Sequence, residues 1–233
     1  MSYRTTDTTT AREFLPLAGH PQPGTTETEM HMESRTSRSS AAETFAELLG
    51  HRRSTKAFGA GSIPSDIVRD LLRTAVGRTP TRRPYGSAYA RYDVAVTVIA
   101  GQIDGIEPAA YLYDSTADEL IVTNKGDHRP VLSRATYDAA WLETCPAALI
   151  LTADVAAANK AFSDLGSDRG MQFCWFEAGL ITQNVYLWAA DKSLGTVFLG
   201  GLRTEATTAP EARALLPDSH TMLGILPIGH PVT

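Results

Sequence analysis

The run His51 to Gly59 reads His-Arg-Arg-Ser-Thr-Lys-Ala-Phe-Gly and packs Arg52, Arg53, Ser54 and Lys56 into one short stretch. Three cations this close repel one another unless an anion or water lies among them. An arginine fork matches a phosphate bidentately, a lysine adds a point charge and a serine adds a hydroxyl donor. In an extended segment Arg52, Ser54 and Lys56 share one face, and Arg53 and Thr55 share the other. The spacing therefore suits a phosphate cradle. The alternative is a solvated basic turn after a helix, the ordinary fate of a charge run.

Composition narrows what such a cradle can serve. The chain has 233 residues, 43% hydrophobic and 20% charged, with a formal charge of -5. That is the make-up of a globular domain with a sizeable core. With no long basic helix, nucleic acid is not an expected partner. No apolar run is long enough to span a bilayer, so no membrane partner is expected. The N-terminus lacks the apolar centre of a signal peptide, which predicts a cytoplasmic protein. Cys145 and Cys174 are the only cysteines, too few for a disulfide framework. No paired metal spacing occurs among the histidines. There is neither a Walker loop nor a Gly-x-Gly-x-x-Gly after a strand, so no metal site and no dedicated Rossmann domain is expected.

Residues 1–38 are rich in Thr, Ser, Gly and Pro and are expected to form a flexible tail, with a single domain over 39–233. Ser40 and Glu43 make a capping box for a helix carrying Phe45, Leu48 and Leu49. A second helix follows Pro64, with Ile67, Val68, Leu71, Leu72 and Ala75 at helical spacing. Strands are predicted over Asp93 to Ile99, over the hairpin Ala109 to Val122, over Ala147 to Thr152, over Val197 to Leu199 and over Met222 to Gly229. A helix is expected over Pro130 to Ala140. Thr208 and Glu211 form a second capping box. The longest helix, Phe173 to Lys192, is apolar all round, which predicts burial in a core or subunit interface. Strands and helices alternate without a clean βαβ rhythm, giving an α+β fold.

These segments, in order, resemble the nitroreductase-fold flavoproteins and within them the SagB-type dehydrogenases. The resemblance begins with Arg-x-Ser-x-Lys/Arg-x-Phe at Arg52, Ser54, Lys56 and Phe58. It continues through Pro84-Tyr85-Gly86-Ser87-Ala88, through Gly105 to Asp114 as Gly-x-x-Pro-x-x-Tyr-x-Tyr-Asp, and through Gly126-Asp127 with Arg129. Glu177-Ala178-Gly179, Gln183-Asn184, Gly200-Gly201 and Ile228 to Pro231 complete it. It implies a central, mostly antiparallel sheet flanked by helices in an entwined homodimer. It also implies FMN held by Arg52, Arg53, Ser54 and Lys56, with Leu199, Gly200 and Gly201 near the flavin ring. Pro84, Tyr85, Gly86 and Ser87 would reach the flavin of the other subunit. Glu177, Gln183 and Asn184 are expected to be structural, because polar groups on an apolar helix need partners.

The chain departs from the pattern where Tyr85 replaces the family Ser and Ser87 the family Gly. It also lacks a Lys-Tyr pair at Leu165-Gly166. The candidate proton-transfer residues are therefore Tyr85, with its pKa lowered by Arg82, Arg83 or Arg169, and Lys160. The expected function is an FMN-dependent dehydrogenase tailoring a peptide or other secondary metabolite. An NAD(P)H-dependent reductase of nitro compounds or quinones is a second possibility, and a catalytically inactive scaffold a third.

Overall fold

The computed structural model describes residues 45–79 and 82–232. The expected tail and the Ser40–Glu43 capping box lie outside the described residues. Five strands form the central sheet: β2 Val94–Ala100, β4 Ala109–Asp114, β5 Glu119–Lys125, β6 Ala147–Ala153 and β7 Thr221–Ile228. Their order is β5-β4-β2-β6-β7 and every pairing is antiparallel. A two-residue parallel pair joins β1 Ile63–Pro64 to β3 Ile103–Asp104.

The sheet is covered on both faces, which explains why β6 is apolar without alternation. On one face Val94, Val96, Val98, Leu149 and Leu151 pack with Val68, Leu71 and Leu72 of α2 Ser65–Ala75 and with Cys174, Ala178, Ile181 and Val185 of α5 Arg169–Asp191. On the other face Ile99, Ala148, Ile150 and Ile225 meet Leu132 of α3 Arg129–Ala135, together with Leu142 and Leu215. The helix α1 Phe45–His51 buries no residue and lies against α5. The helix α4 Val155–Ala161 packs on the first turns of α5.

Three local expectations change. The segment after Gly195 makes single bridges, Gly195 to Gly229 and Leu199 to Ile225, instead of a strand over Val197 to Leu199. The Phe198 ring occupies the space left by Gly200 and Gly224. Thr208 does not cap a following helix. Its hydroxyl donates backwards to the carbonyls of Thr204 and Glu205, ending α6 Thr204–Thr208 before α7 Pro210–Arg213. The helix expected over Pro130 to Ala140 ends early, at Ala135, where Thr136 turns extended. In the single chain the long helix leaves Trp175 43% and Phe176 60% exposed.

The α4–α5 contact has no slack. A methyl group on Gly170 would overlap the Ala158 carbonyl and the Asn159 nitrogen, which are backbone atoms and cannot turn away. Overpacking of this kind costs about 1–3 kcal/mol. Gly170→Ala should therefore lower the denaturant midpoint by that much stability with an unchanged m-value. An unchanged midpoint would mean that α4 is free to shift.

Candidate functional site

The basic run leaves α1 as an extended segment fixed at three points. The Thr55 N–H donates to the Thr196 carbonyl (2.9 Å), the Gly59 N–H to that of His230 (2.9 Å), and the Val232 N–H to that of Ala57 (3.1 Å). Thr55 also lies against Gly195, where any side chain would collide with it. The expected alternation is visible. Arg52 lies over the Tyr186 ring at 5.2 Å and the Ser54 hydroxyl is 3.3 Å from the Tyr186 hydroxyl. Lys56 is exposed.

Arg53 goes the other way. Its guanidinium donates to the carbonyls of Gly50 (2.6 Å) and Arg52 (2.9 Å), closing the C-terminal end of α1. Arg53 and Thr55 line a separate cavity of about 350 Å³ with Tyr186 and Pro231. Arg53 thus lies on the other face from Arg52 and Ser54, as the alternation of an extended segment predicts, although the family resemblance groups all three at the cofactor.

Tyr186 joins the cradle to the late segment. Its hydroxyl accepts the Phe198 N–H at 2.9 Å, which ties Phe198, at the start of the segment leading to Gly200 and Gly201, to the side chain that Arg52 and Ser54 meet. Both glycines are exposed, and neither N–H makes a backbone hydrogen bond among the described residues. Tyr186 was not among the residues singled out from the sequence. Its only signal there is a phenol on an otherwise apolar helix, which needs a partner.

Pro84 to Ser87 is held on the opposite side of α5. The Asn184 amide donates to the carbonyls of Pro84 and Ala75, each at 3.2 Å. The Ser87 hydroxyl donates to Glu177 Oε1 and accepts the Tyr92 N–H at 2.8 Å. Glu177 Oε2 accepts the Val94 N–H at 3.3 Å, at the first residue of β2. Glu177 and Asn184 are seven residues apart and share a face, while Tyr186 lies about 180° round the helix from Glu177. Glu177 and Asn184 have the structural role expected of them. Between Ser87 and Asp93, Tyr89, Ala90 and Tyr92 take positive φ of 53°, 55° and 57°. Such strain persists only where surrounding contacts impose it and collects at functional sites.

Tyr85 is buried, edge-on to Tyr92 at 5.7 Å, with its hydroxyl 3.4 Å from Arg83 Nη1. Burial pushes its phenol above the ordinary value, and the Arg83 charge does not reverse this. The expected lowering is therefore corrected: desolvation outweighs the cation. Gly86 is exposed, with open space where a Cβ would stand. Lys160 is exposed on α4, next to Asn159, whose side chain accepts the Met171 N–H at 2.7 Å. That is the N-terminal end of α5, about 20 Å along the helix from Tyr186. Both cysteines are buried and unpaired, and burial raises Cys145 to about 12 and Cys174 to about 11, so neither is a ready nucleophile.

A model of the nitroreductase family matches residues 49–230. The chain belongs to the nitroreductase family. It is 24% identical over 188 residues to a Methanocaldococcus jannaschii protein named for the nitroreductases, covering 80% of this chain and 90% of that one. A similarly named protein of Ralstonia eutropha has a crystal structure that superposes with a TM-score of 0.67 at 21% identity, covering 84% of this chain and 87% of that one. A chain of the Escherichia coli microcin synthetase McbBCD complex, solved with truncated pro-MccB17 bound, gives a TM-score of 0.63 at 18% identity, covering 88% and 79%. These likenesses establish the nitroreductase fold, with its antiparallel five-stranded sheet between helices. Among the described residues no helix is long and apolar enough to cross a membrane.

Glu177 gives this site a pH signature. Burial pushes its carboxyl up, and the Ser87 hydroxyl and Val94 N–H only partly offset this. A carboxyl raised in the folded state costs stability when ionised, and the cost fades as pH falls through the folded value. The wild type should therefore gain stability relative to Glu177→Gln as pH drops from 7 toward the ordinary carboxylate range. Parallel stability curves for the two proteins would show that the carboxyl is not perturbed.

Proposed function

We propose that this protein is an FMN-dependent oxidoreductase, acting as a homodimer on a small-molecule or peptide substrate. One observation carries the reading: the two groups of residues expected at the flavin lie on opposite sides of α5. Arg52, Ser54 and Gly200-Gly201 gather round Tyr186, and Pro84 to Ser87 is anchored to Asn184 and Glu177. They cannot close on one planar ligand within a single chain. A second copy can bring Pro84 to Ser87 against the Tyr186 side of the first.

The residues fit the cofactor. Arg52 and Lys56 offer charge and Ser54 a hydroxyl for a phosphate, on backbone fixed at both ends. Gly200 and Gly201 offer exposed N–H groups with no Cβ to hold a flat ring away. FMN, when bound, supplies acceptance and delivery of a hydride. The chain's part is to hold it, exclude water and move protons. Tyr85 Oη, with its phenol pushed further above neutral by burial, is not suited to remove a proton.

The microcin synthetase likeness supports a role in tailoring a peptide or secondary metabolite. A Tyr85 that is not a ready base removes support from that dehydrogenase direction and leaves the other, in which NAD(P)H provides the hydride and a nitro compound or quinone receives it. Anaerobic mixing with each class of donor separates them: bleaching by NAD(P)H alone selects the reductase, and bleaching by an organic substrate alone selects the dehydrogenase.

The purified protein should be yellow with FMN. Arg52→Ala removes a charge-assisted contact worth about 1.5–3 kcal/mol, so FMN should bind about ten- to a hundred-fold more weakly. Unchanged affinity would take Arg52 out of the site, and a colourless protein that binds no FMN would favour an inactive scaffold.

The exposed Trp175 and Phe176, with Phe45 and Leu49 of α1 also exposed, form the apolar surface expected to meet the second copy. Phe176→Glu should shift sedimentation from dimer toward monomer and lower flavin content with it. A wild-type protein that sediments as a flavin-loaded monomer would overturn the two-copy site.

A further inference from the structure

Four arginines line one cavity that borders the Pro84 to Ser87 segment. Arg73, Arg78, Arg82 and Arg83 line a space of about 390 Å³, and Pro84 forms part of its wall. Among the described residues Asp118 is the one carboxylate lining it, and it is paired with Arg73. Four guanidinium groups against one carboxylate leave three positive charges uncompensated, in a chain whose net charge is -5. Among the described residues neither Arg78 nor Arg82 has an ion-pair partner.

The cluster is positioned by the fold. The Thr79 N–H and hydroxyl both donate to the Arg82 carbonyl at 2.9 Å, and the Arg82 N–H donates to Thr79 Oγ1 at 3.1 Å. Arg83 lies over the Tyr92 ring at 4.7 Å with Nη1 on the Tyr85 hydroxyl. Arg73 leaves α2 toward Asp118, which is also held by the Tyr113 hydroxyl at 2.9 Å. Like charges held together this way repel until an anion joins them. Guanidinium forks select oxyanions with several acceptor oxygens.

We propose that this cavity is an anion subsite for a phosphate, carboxylate or sulfonate group on a molecule that reacts at the flavin. The position carries the assignment, because Pro84 opens the segment that ends at Ser87, and Arg83 links the cavity wall to Tyr85. An anionic group anchored here leaves the rest of the molecule free to extend along Pro84 to Ser87. The role in the reaction rests on the flavoprotein reading. Binding of an anion does not.

The test uses FMN-saturated protein, so that the Arg52 cradle is filled, and inorganic pyrophosphate as the probe. Calorimetry should give one saturable site per chain that weakens as salt is raised. Arg78→Ala with Arg82→Ala should weaken it at least about ten-fold, since each charge-assisted contact is worth about that factor. Lys125→Ala, outside the cavity, should leave it unchanged. The double variant should keep its FMN, read by absorbance, which separates failure here from failure of the flavin reading. Two further arms locate the source. A KM raised for NADPH and not for NADH assigns the subsite to the hydride donor. A KM raised for a quinone sulfonate and not for a neutral quinone assigns it to the acceptor. Pyrophosphate that fails to bind, or binds equally to wild type and double variant, overturns the proposal, as does binding lost in Arg52→Ala instead.

Discussion

A buried carboxyl on α5 fixes the segment that leads into β2. Glu177 is 1% exposed, and its two oxygens take the Ser87 hydroxyl and the Val94 N–H. A buried carboxyl without such partners would be strongly destabilising, so the helix can hold Glu177 only with residues 87–94 in place. The same contacts set where β2 begins and how Pro84 to Ser87 is presented. The left-handed residues Tyr89, Ala90 and Tyr92 follow from this, since the chain must turn tightly between a serine and a strand start that answer to one side chain. The central sheet, α5 and the candidate site thus share one constraint.

Tyr186 does the corresponding work on the other side of α5. Its hydroxyl meets Ser54 and the Phe198 N–H, and its ring lies beneath Arg52. The arrangement puts a phenol, a serine hydroxyl, a backbone N–H and a guanidinium at one point where three separate segments meet. A single helix therefore separates two groups of residues that the family pattern brings to one cofactor. The exposed Trp175 and Phe176 lie on this same helix, so the part of α5 that leaves the core is apolar where a second copy is proposed to sit.

The sequence made the sheet legible because its strands are β-branched or continuously apolar, and their period does not depend on distant contacts. It made α2 legible through Pro64 and the helical spacing of its core residues. It misled where polar side chains chose between near-equal local partners. Thr208 had an acidic residue three positions ahead but donates to carbonyls behind it, which a motif of residue types cannot distinguish. The alternation of Arg52, Ser54 and Lys56 against Arg53 and Thr55 was readable from an extended backbone. What was not readable was that α1 would end within reach of Arg53 and claim it. The direction of the Tyr85 shift was equally hidden. Neighbouring arginines are visible in the chain, but the burial that outweighs them belongs to packing against Tyr92 and the sheet. Tyr186 escaped because its partners lie far from it in sequence.

A site divided between two copies has a thermodynamic consequence that a site within one chain lacks. Under the proposed arrangement FMN makes its full set of contacts only in the dimer, so its binding and the association of the subunits strengthen each other by the same factor. Flavin affinity measured on dilute protein then includes the cost of assembling the dimer, and loss of an apolar contact on α5 weakens FMN without touching any group that meets it. The reverse also holds. In that proposed arrangement, neutralising Arg52 would loosen the subunits, because the cation would no longer contribute through the cofactor. Under the same proposal, this coupling would give a reason for keeping Trp175 and Phe176 outside the core of the single chain. Burying them against the chain's own sheet would stabilise the monomer, and the two halves of the cofactor site would then stay apart.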